Sequence, residues 1–337
     1  MTITKGSGRL KMFKLTESVL DAERNSALVI EAPSENFDWL TWAVQQREEI
    51  DAKLLRHGSL VLKNFCIDSI DKFDALARAL SNDLYKGYGD LPVREDNQDL
   101  YNATPYTAQH TIYFHNEAAH TSKWPLKQFF LCVLAAEWGG ELAVSDCRAL
   151  LNTLDPALLN RFIDKRLMYV RNFVPYVDVR WQDFYKIDER AQLEAFLRSR
   201  DIEFEWKGEV LQTRIRAPAV ARHPKTRELV WFNQIQLHHP RMLEAKVYSG
   251  LKGLFGKESE FPRYVCFGDG TPIGSDVVDE ISQALTKHAV NIAAKNGDVI
   301  FNDNMLVSHS RLPYRGQRKV CVALADPIDS RDVDASK

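Results

Sequence analysis

The triplet His115-Asn116-Glu117, together with His309 far downstream, makes the strongest demand on how this chain can fold. Alternate residues of a β-strand project to the same side, so on an extended segment His115 and Glu117 can grip one ion while Asn116 faces away. A third ligand from His309 would complete a two-His-one-carboxylate triad. Such a triad holds Fe(II) on one face and leaves the opposite positions open for a co-substrate and oxygen. The fold must then bring two distant strands side by side. With nine His and 46 Asp plus Glu in 337 residues, a single His-x-Asp/Glu pair is expected by chance, and a single one occurs. The pair gains its weight from the rest of the chain.

Much of the remaining sequence reads as strands and short helices. Phe37 to Arg56 carries apolar residues at helical spacing and ends at Gly58. Ser59 to Phe65 reads as a strand, and Ile70 to Leu80 as a second amphipathic helix. Residues 84–112 are turn-rich and polar, a loop leading into the His115 segment. Leu126 to Leu134 reads as a buried strand closed by Gly139-Gly140. Residues 150–205 alternate short helices, Asp155–Ile163 and Glu189–Ser199, with polar connections. Val220 to Gln236 suggests a hairpin, and residues 276–290 a helix with acids at its amino end. Asn296-Gly297 is a tight turn, and strands at 298–301 and 320–324 flank the His309 segment.

This pattern predicts an α+β, mainly β fold: a jelly-roll core with flanking N-terminal helices and a mid-chain helical insert. The expected organisation is an N-terminal arm or edge strand over 1–30, one domain over 31–327 and a tail over 328–337. No glycine-rich nucleotide loop follows a strand, which disfavours nucleotide-binding folds. The net charge of −2 gives no sign of a nucleic-acid or anionic-membrane partner. Five scattered cysteines without a Cys-x-x-Cys suggest reduced thiols, and no apolar run reaches membrane-spanning length. The expected location is cytoplasmic.

Downstream of His309 stands a cluster of arginines. Arg318 opens the apolar strand Val320–Leu324 and can reach inward, where its planar fork suits a buried carboxylate. Arg311 and Arg315 read as solvated surface charges. Adjacent His238-His239 read as a packing or loop pair, and Trp124, Trp138, Trp206 and Trp231 as core. His110 and His120 bracket the triplet and are candidates for the substrate mouth, as is Asn102 for substrate contact.

Several boxes in order resemble the TauD/TfdA family of Fe(II)/2-oxoglutarate dioxygenases, in particular its SyrP-like amino-acid hydroxylase branch. They are Tyr113–Glu117, Trp124-Pro125, Gly139-Gly140-Glu141 with Asp146-Cys147-Arg148, His223-Pro224 with Trp231–Gln234, Gly268–Gly270, Gly297-Asp298, Asp303–Met305, and His309 through Arg318. The resemblance implies a distorted double-stranded β-helix, iron held by His115, Glu117 and His309, and Arg318 on the distal carboxylate of 2-oxoglutarate. It implies oxidative decarboxylation of 2-oxoglutarate by O2, coupled to hydroxylation of an unactivated C–H bond or, by the same chemistry, to desaturation, epoxidation or ring closure, with no separate acid or base residue. The expected substrate is an amino acid or amino-acid-derived small molecule of natural-product biosynthesis, free or tethered to a peptidyl carrier protein. A catabolic sulfonate or aryloxy-acid dioxygenase, or a non-catalytic metal-binding barrel, is the alternative, and a homo-oligomer is compatible with either. Related halogenases replace the carboxylate ligand by a small residue, so Glu117 disfavours halogenation. The chain departs from the family pattern at Leu142, where a threonine is common, at Ser310 in place of glycine, and at Val322, where some relatives carry a second arginine.

Overall fold

A computed structural model describes residues 14–24, 26–33, 37–86, 88–103 and 106–333. The expectations for residues 1–13, for Gly87 and Pro105 in the long loop, and for residues 334–337 of the tail fall outside the described residues.

Two sheets face each other. The larger has seven strands in the order Thr16–Asp21, Ser26–Glu31, Ser59–Lys63, Val299–Asp303, Lys123–Leu134, Lys319–Asp329 and Tyr101–Asn102. The smaller has Ala289–Ile292, Leu142–Asp146, Val307–Arg311 and Ile112–His115. Every pairing is antiparallel except that of Ser26–Glu31 with Ser59–Lys63. This is the expected jelly-roll core.

The central strands are largely apolar because both faces are covered, and alternation sorts their side chains. Val61, Phe130, Ile300, Val322 and Leu324 face the small sheet and pack with Leu142, Val144 and Val307. Their neighbours Leu60, Leu62, Phe129, Leu131, Phe301 and Ala323 face the other way, onto Trp42, Ile50, Leu54, Phe73 and Leu76 of the N-terminal helices. Phe129 and Phe301 stack across adjacent strands with centroids 4.1 Å apart. Lys127 is buried on a central strand, where its ammonium reaches Asp51 at 2.8 Å, Asp326 at 3.3 Å and the Leu80 carbonyl at 2.7 Å.

The helix expected over Phe37–Arg56 breaks at Gln46 into Trp39–Gln45 and Arg47–His57. Gly58 ends it with φ 71°, a left-handed conformation that costs glycine little. A Cβ there would also lie 2.6 Å from Val307 Cγ1, so this turn packs directly on the His309 strand. The second helix, Ile70–Ala79, is capped by Ser69 and matches expectation. The hairpin forms between Val220–Arg222 and Leu229–Trp231.

Two regions differ from expectation. Residues 16–31 contribute two strands to the large sheet, one of them interior, where an arm or a single edge strand was anticipated. The mid-chain insert holds the helices Pro156–Lys165 and Arg190–Ser199, but also a four-stranded antiparallel sheet of Glu203–Lys207, Val210–Ala217, Leu167–Phe173 and Arg263–Phe267. The strand Leu167–Phe173 lacks a clean period-two burial pattern, and its partner Arg263–Phe267 lies far along the chain. Pairing of that kind leaves no local signal. At the other end, residues 328–329 complete the last long strand, and the carbonyl of buried Val333 accepts from Arg222 N at 2.8 Å. Among the described residues no helix is long and apolar enough to cross a membrane.

Candidate active site

The strand Ile112–His115 pairs antiparallel with Val307–Arg311, and His115 stands directly opposite His309. Opposed residues of an antiparallel pair share a face, so the register alone brings the two imidazoles together, with ring centroids 4.2 Å apart. Glu117 arrives differently from the expectation. The strand ends at His115, and Glu117 opens a turn over residues 117–120 in which Ala118 takes φ 57°. Strand alternation therefore does not orient the carboxylate. A buried amide network does.

Asn116 is fully buried, and its amide donates to the carbonyls of Asn304 at 2.7 Å and Val307 at 3.2 Å. Its side-chain oxygen accepts from Asn233 N, and its main-chain carbonyl from Gln234 Nε2 at 2.9 Å. Asn304 Oδ1 accepts from Glu117 N at 2.7 Å, while Asn304 Nδ2 donates to Glu117 O at 3.0 Å. The turn is thus held on both sides of the carboxylate. Tyr88 completes the support by donating its hydroxyl to Glu117 Oε1 at 2.8 Å. Burial, and then the Glu117 and Asp90 carboxylates, push the Tyr88 phenol well above its usual range, so it remains a donor.

One ligand atom from each of His115, Glu117 and His309 can be chosen such that all lie within 4.8 Å of one another, and all three residues are buried. His309 Nε2 lies 4.0 Å from Glu117 Oε2, too far for a hydrogen bond. The carbonyl of Tyr113 lies 2.8 Å from His115 Nδ1 and can only accept, so Nδ1 carries the proton and Nε2 keeps its lone pair. Among the described residues His309 Nδ1 is buried without a partner. Burial, and then His115, hold the His309 imidazole well below its usual range, in the neutral form a metal requires. Buried polar groups that converge without bonding one another are costly unless a cation joins them. This donor set, two imidazoles and a carboxylate, fits Fe(II).

Two cavities meet at the triplet. The smaller, about 80 Å³, is bounded by all three residues and by Leu142, Arg311 and Arg318, with Val322 among its apolar walls. Arg318 is partly buried and donates Nε to the Gly140 carbonyl at 3.1 Å, its one hydrogen bond among the described residues. Gly140 has φ 77°, and a Cβ there would come within 3.1 Å of Arg318 Cδ, so glycine makes room for the guanidinium. Arg311 corrects an expectation. It is buried rather than solvated, and it donates to the carbonyls of Thr107 at 3.0 Å and Ala108 at 3.2 Å, tying down the loop before the His115 strand. Arg315 is exposed as expected and lies over Trp138, which is itself an exposed residue and not core. The larger cavity, about 410 Å³, opens on the other side of His115 and Glu117.

Asn102, His110 and His120 lie outside both cavities. Asn102 is exposed and accepts from Arg94 Nη1 at 2.9 Å. His110 is exposed and pairs with Glu244 at 2.8 Å. His120 is buried against Asp90 at 3.2 Å and lines a third cavity of about 230 Å³ beside the larger one. His238 and His239 are buried packing residues, bonded to the carbonyls of Gln234 and Ile273, and both line the larger cavity. Sequence reasoning missed Tyr88 and gave Asn116 and Asn304 no role. Asn304 stands in a recognised box, but nothing local reveals that it bonds the main chain of Glu117.

The chain matches the family described as taurine catabolism dioxygenase TauD, TfdA family, over residues 22–324. It is 34% identical over 281 residues to the dapdiamide synthesis protein DdaC of Enterobacter agglomerans, covering 83% of this chain and 85% of that protein. It is 25% identical over 292 residues to a clavaminate synthase-like protein of Arabidopsis thaliana, covering 83% and 84% respectively. Among solved structures it shares its fold with PvcB of Pseudomonas aeruginosa, at TM-score 0.55 and 12% identity, covering 96% of this chain and 95% of that one. The chain belongs to the TauD/TfdA family of dioxygenases.

Proposed function

We propose that this protein is an Fe(II)- and 2-oxoglutarate-dependent dioxygenase that hydroxylates an amino-acid-derived small molecule in natural-product biosynthesis. The observation that carries the reading is the convergence of His115, Glu117 and His309 at the junction of two cavities, one of which contains Arg318. The DdaC relative, named for dapdiamide synthesis, supports the biosynthetic setting.

His115, Glu117 and His309 would hold the iron. Bound there, Fe(II) supplies activation of O2 coupled to decarboxylation of 2-oxoglutarate. Arg318 would take the distal carboxylate of the co-substrate, as a fork whose charge survives the burial that lowers its pKa. Leu142, Val320 and Val322 line that cavity and keep water from competing for the ion pair. Tyr88 and the amides of Asn116 and Asn304 fix the Glu117 carboxylate, which a metal site needs as much as the ligand itself. The substrate then occupies the larger cavity, on the far side of His115 and Glu117. Leu243 and Val247 on that cavity's wall are exposed, so a substrate carried on a peptidyl carrier protein has a route in. Five free cysteines support a reducing, cytoplasmic setting.

The test is anaerobic addition of Fe(II) and 2-oxoglutarate, followed by O2. A visible charge-transfer band and succinate formation are expected from the wild type. Glu117→Ala should lose both while its circular dichroism is unchanged. Absence of band and succinate from well-folded wild type would favour a non-catalytic metal-binding barrel instead.

A further inference from the structure

We infer that the larger cavity selects substrates bearing both a carboxylate and an N–H donor, with Arg263 holding the carboxylate and Gln236 accepting the N–H. The inference rests on the functional reading above and names the substrate chemistry of the same site.

Both residues line the cavity shared with His115 and Glu117. Arg263 begins the strand Arg263–Phe267 and stands opposite Arg171 on the adjacent strand. Two guanidiniums side by side repel, and Asp90 is shared between them. Arg171 takes the better geometry, with Asp90 Oδ1 at 3.3 Å and Asp178 at 3.5 Å, and Asp90 is further engaged by His120 at 3.2 Å. Arg263 is left with a single 4.0 Å approach to Asp90 and no hydrogen bond among the described residues. Its fork, 41% exposed, is a charged donor set without a close protein partner among the described residues, at the edge of a substrate-sized cavity. A planar carboxylate is the anion such a fork fits best.

Gln236 supplies the complementary group. It is 96% buried, being 4% exposed, and its amide nitrogen donates to Ser282 Oγ at 2.6 Å. The Ser282 hydroxyl gives its only proton to the Val278 carbonyl at 2.7 Å, so it must accept from Gln236. That fixes the orientation of the amide and leaves Oε1 as the free end. Among the described residues Oε1 is buried with no partner. An unsatisfied buried carbonyl is costly, and a ligand N–H removes the cost. Much of the surrounding wall is apolar, including Leu91, Ile112, Val177, Leu251 and Phe261; of its acidic members besides Glu117, Asp90 and Asp178 are engaged by Arg171, which leaves Arg263 and Gln236 to orient a ligand.

Nineteen N-acetyl amino acids, all but that of proline, which has no N–H, carry the required pair of groups, and their methyl esters remove the charge of that carboxylate. Each is titrated calorimetrically into the anaerobic protein loaded with Fe(II) and 2-oxoglutarate. At least one acid should bind, with its ester weaker by about tenfold or more, the scale of a lost charged hydrogen-bond pair. Arg263→Gln should abolish the acid-over-ester preference. Gln236→Leu should weaken the same acid while retaining that preference. The inference is overturned if no acid binds, if wild type binds acid and ester equally, or if Arg263→Gln keeps the preference. Slow conversion of 2-oxoglutarate to succinate by wild type without any added acid is measured in parallel. Succinate formed there without acid preference removes this inference alone, whereas no succinate at all removes the functional reading beneath it.

Discussion

Tyr88 reaches from the loop before the His115 strand to donate its hydroxyl to Glu117 Oε1 at 2.8 Å, leaving Oε2 on the side of His309. One carboxylate oxygen is thus occupied by protein and the other is free for an ion. The bond links a residue outside any regular element to the shortest-lived part of the local sequence signal, a carboxylate in a turn.

Removing that hydroxyl should weaken the metal site without dismantling it. Tyr88→Phe keeps the ring and deletes the donor, and outer contacts of this kind typically change metal affinity by about 10–100-fold. Titration of the apoprotein with Fe(II) or Co(II) reads the effect directly. An unchanged dissociation constant would mean that the amide network alone orients Glu117.

Arg318 should govern co-substrate affinity and nothing else at the site. Arg318→Gln removes a charged fork from a partly buried cavity, a loss of about 1.5–3 kcal/mol. The KM for 2-oxoglutarate should rise by about 10–100-fold, with metal affinity within twofold of wild type. A KM that does not move would assign the distal carboxylate to another cation, of which Arg311 is the nearest candidate in the same cavity.

Lys127 should be needed for stability. Its ammonium joins Asp51 on the helix Arg47–His57 to Asp326 on the last long strand, all around a residue that is 2% exposed. Deleting one partner of a buried charge group leaves the others uncompensated, at about 3–5 kcal/mol. Lys127→Ala should lower the midpoint of urea unfolding accordingly. Equal midpoints for variant and wild type would show that the aspartates are already solvated.

The thiols should be unreactive in the folded state. Burial pushes Cys147 and Cys321 up to about 12 and Cys266 up to about 11, and it raises Cys132 as well. The thiolate is the nucleophile, so at pH 8 these four should resist Ellman's reagent. Cys66, the one cysteine that is not fully buried, should label first, and all five should label after denaturation. The same shifts carry a sign for stability. A folded-state value above the ordinary 9.0 stabilises the protein below that pH, and the contribution is lost as pH rises toward about 12. Rapid native labelling of more than one thiol would contradict this burial.

Much of the barrel was legible because the central strands are buried on two faces. Runs such as Leu126–Leu134 and Val320–Leu324 are mostly apolar, and the helices beside them carry clear amphipathic spacing. Gly58 and Gly297 marked turns that the backbone makes with positive φ. The mid-chain sheet was not legible, since Leu167–Phe173 takes its partners from residues 210–217 and 263–267. Arg311 was misjudged for a related reason. Nothing in its own neighbourhood announces that the loop carbonyls of Thr107 and Ala108 will close over it.

Residue type and spacing singled out which side chains could donate to a metal and which arginine could face a carboxylate, because ligand chemistry belongs to side chains one at a time. Which of those side chains meet was decided by tertiary structure. The register opposing His115 to His309, the amides that turn Glu117 inward, and the salt-bridge competition that leaves Arg263 free all depend on partners far away in the chain. Hydrogen bonds and ion pairs are satisfied by proximity in space, and a linear sequence does not carry that information locally.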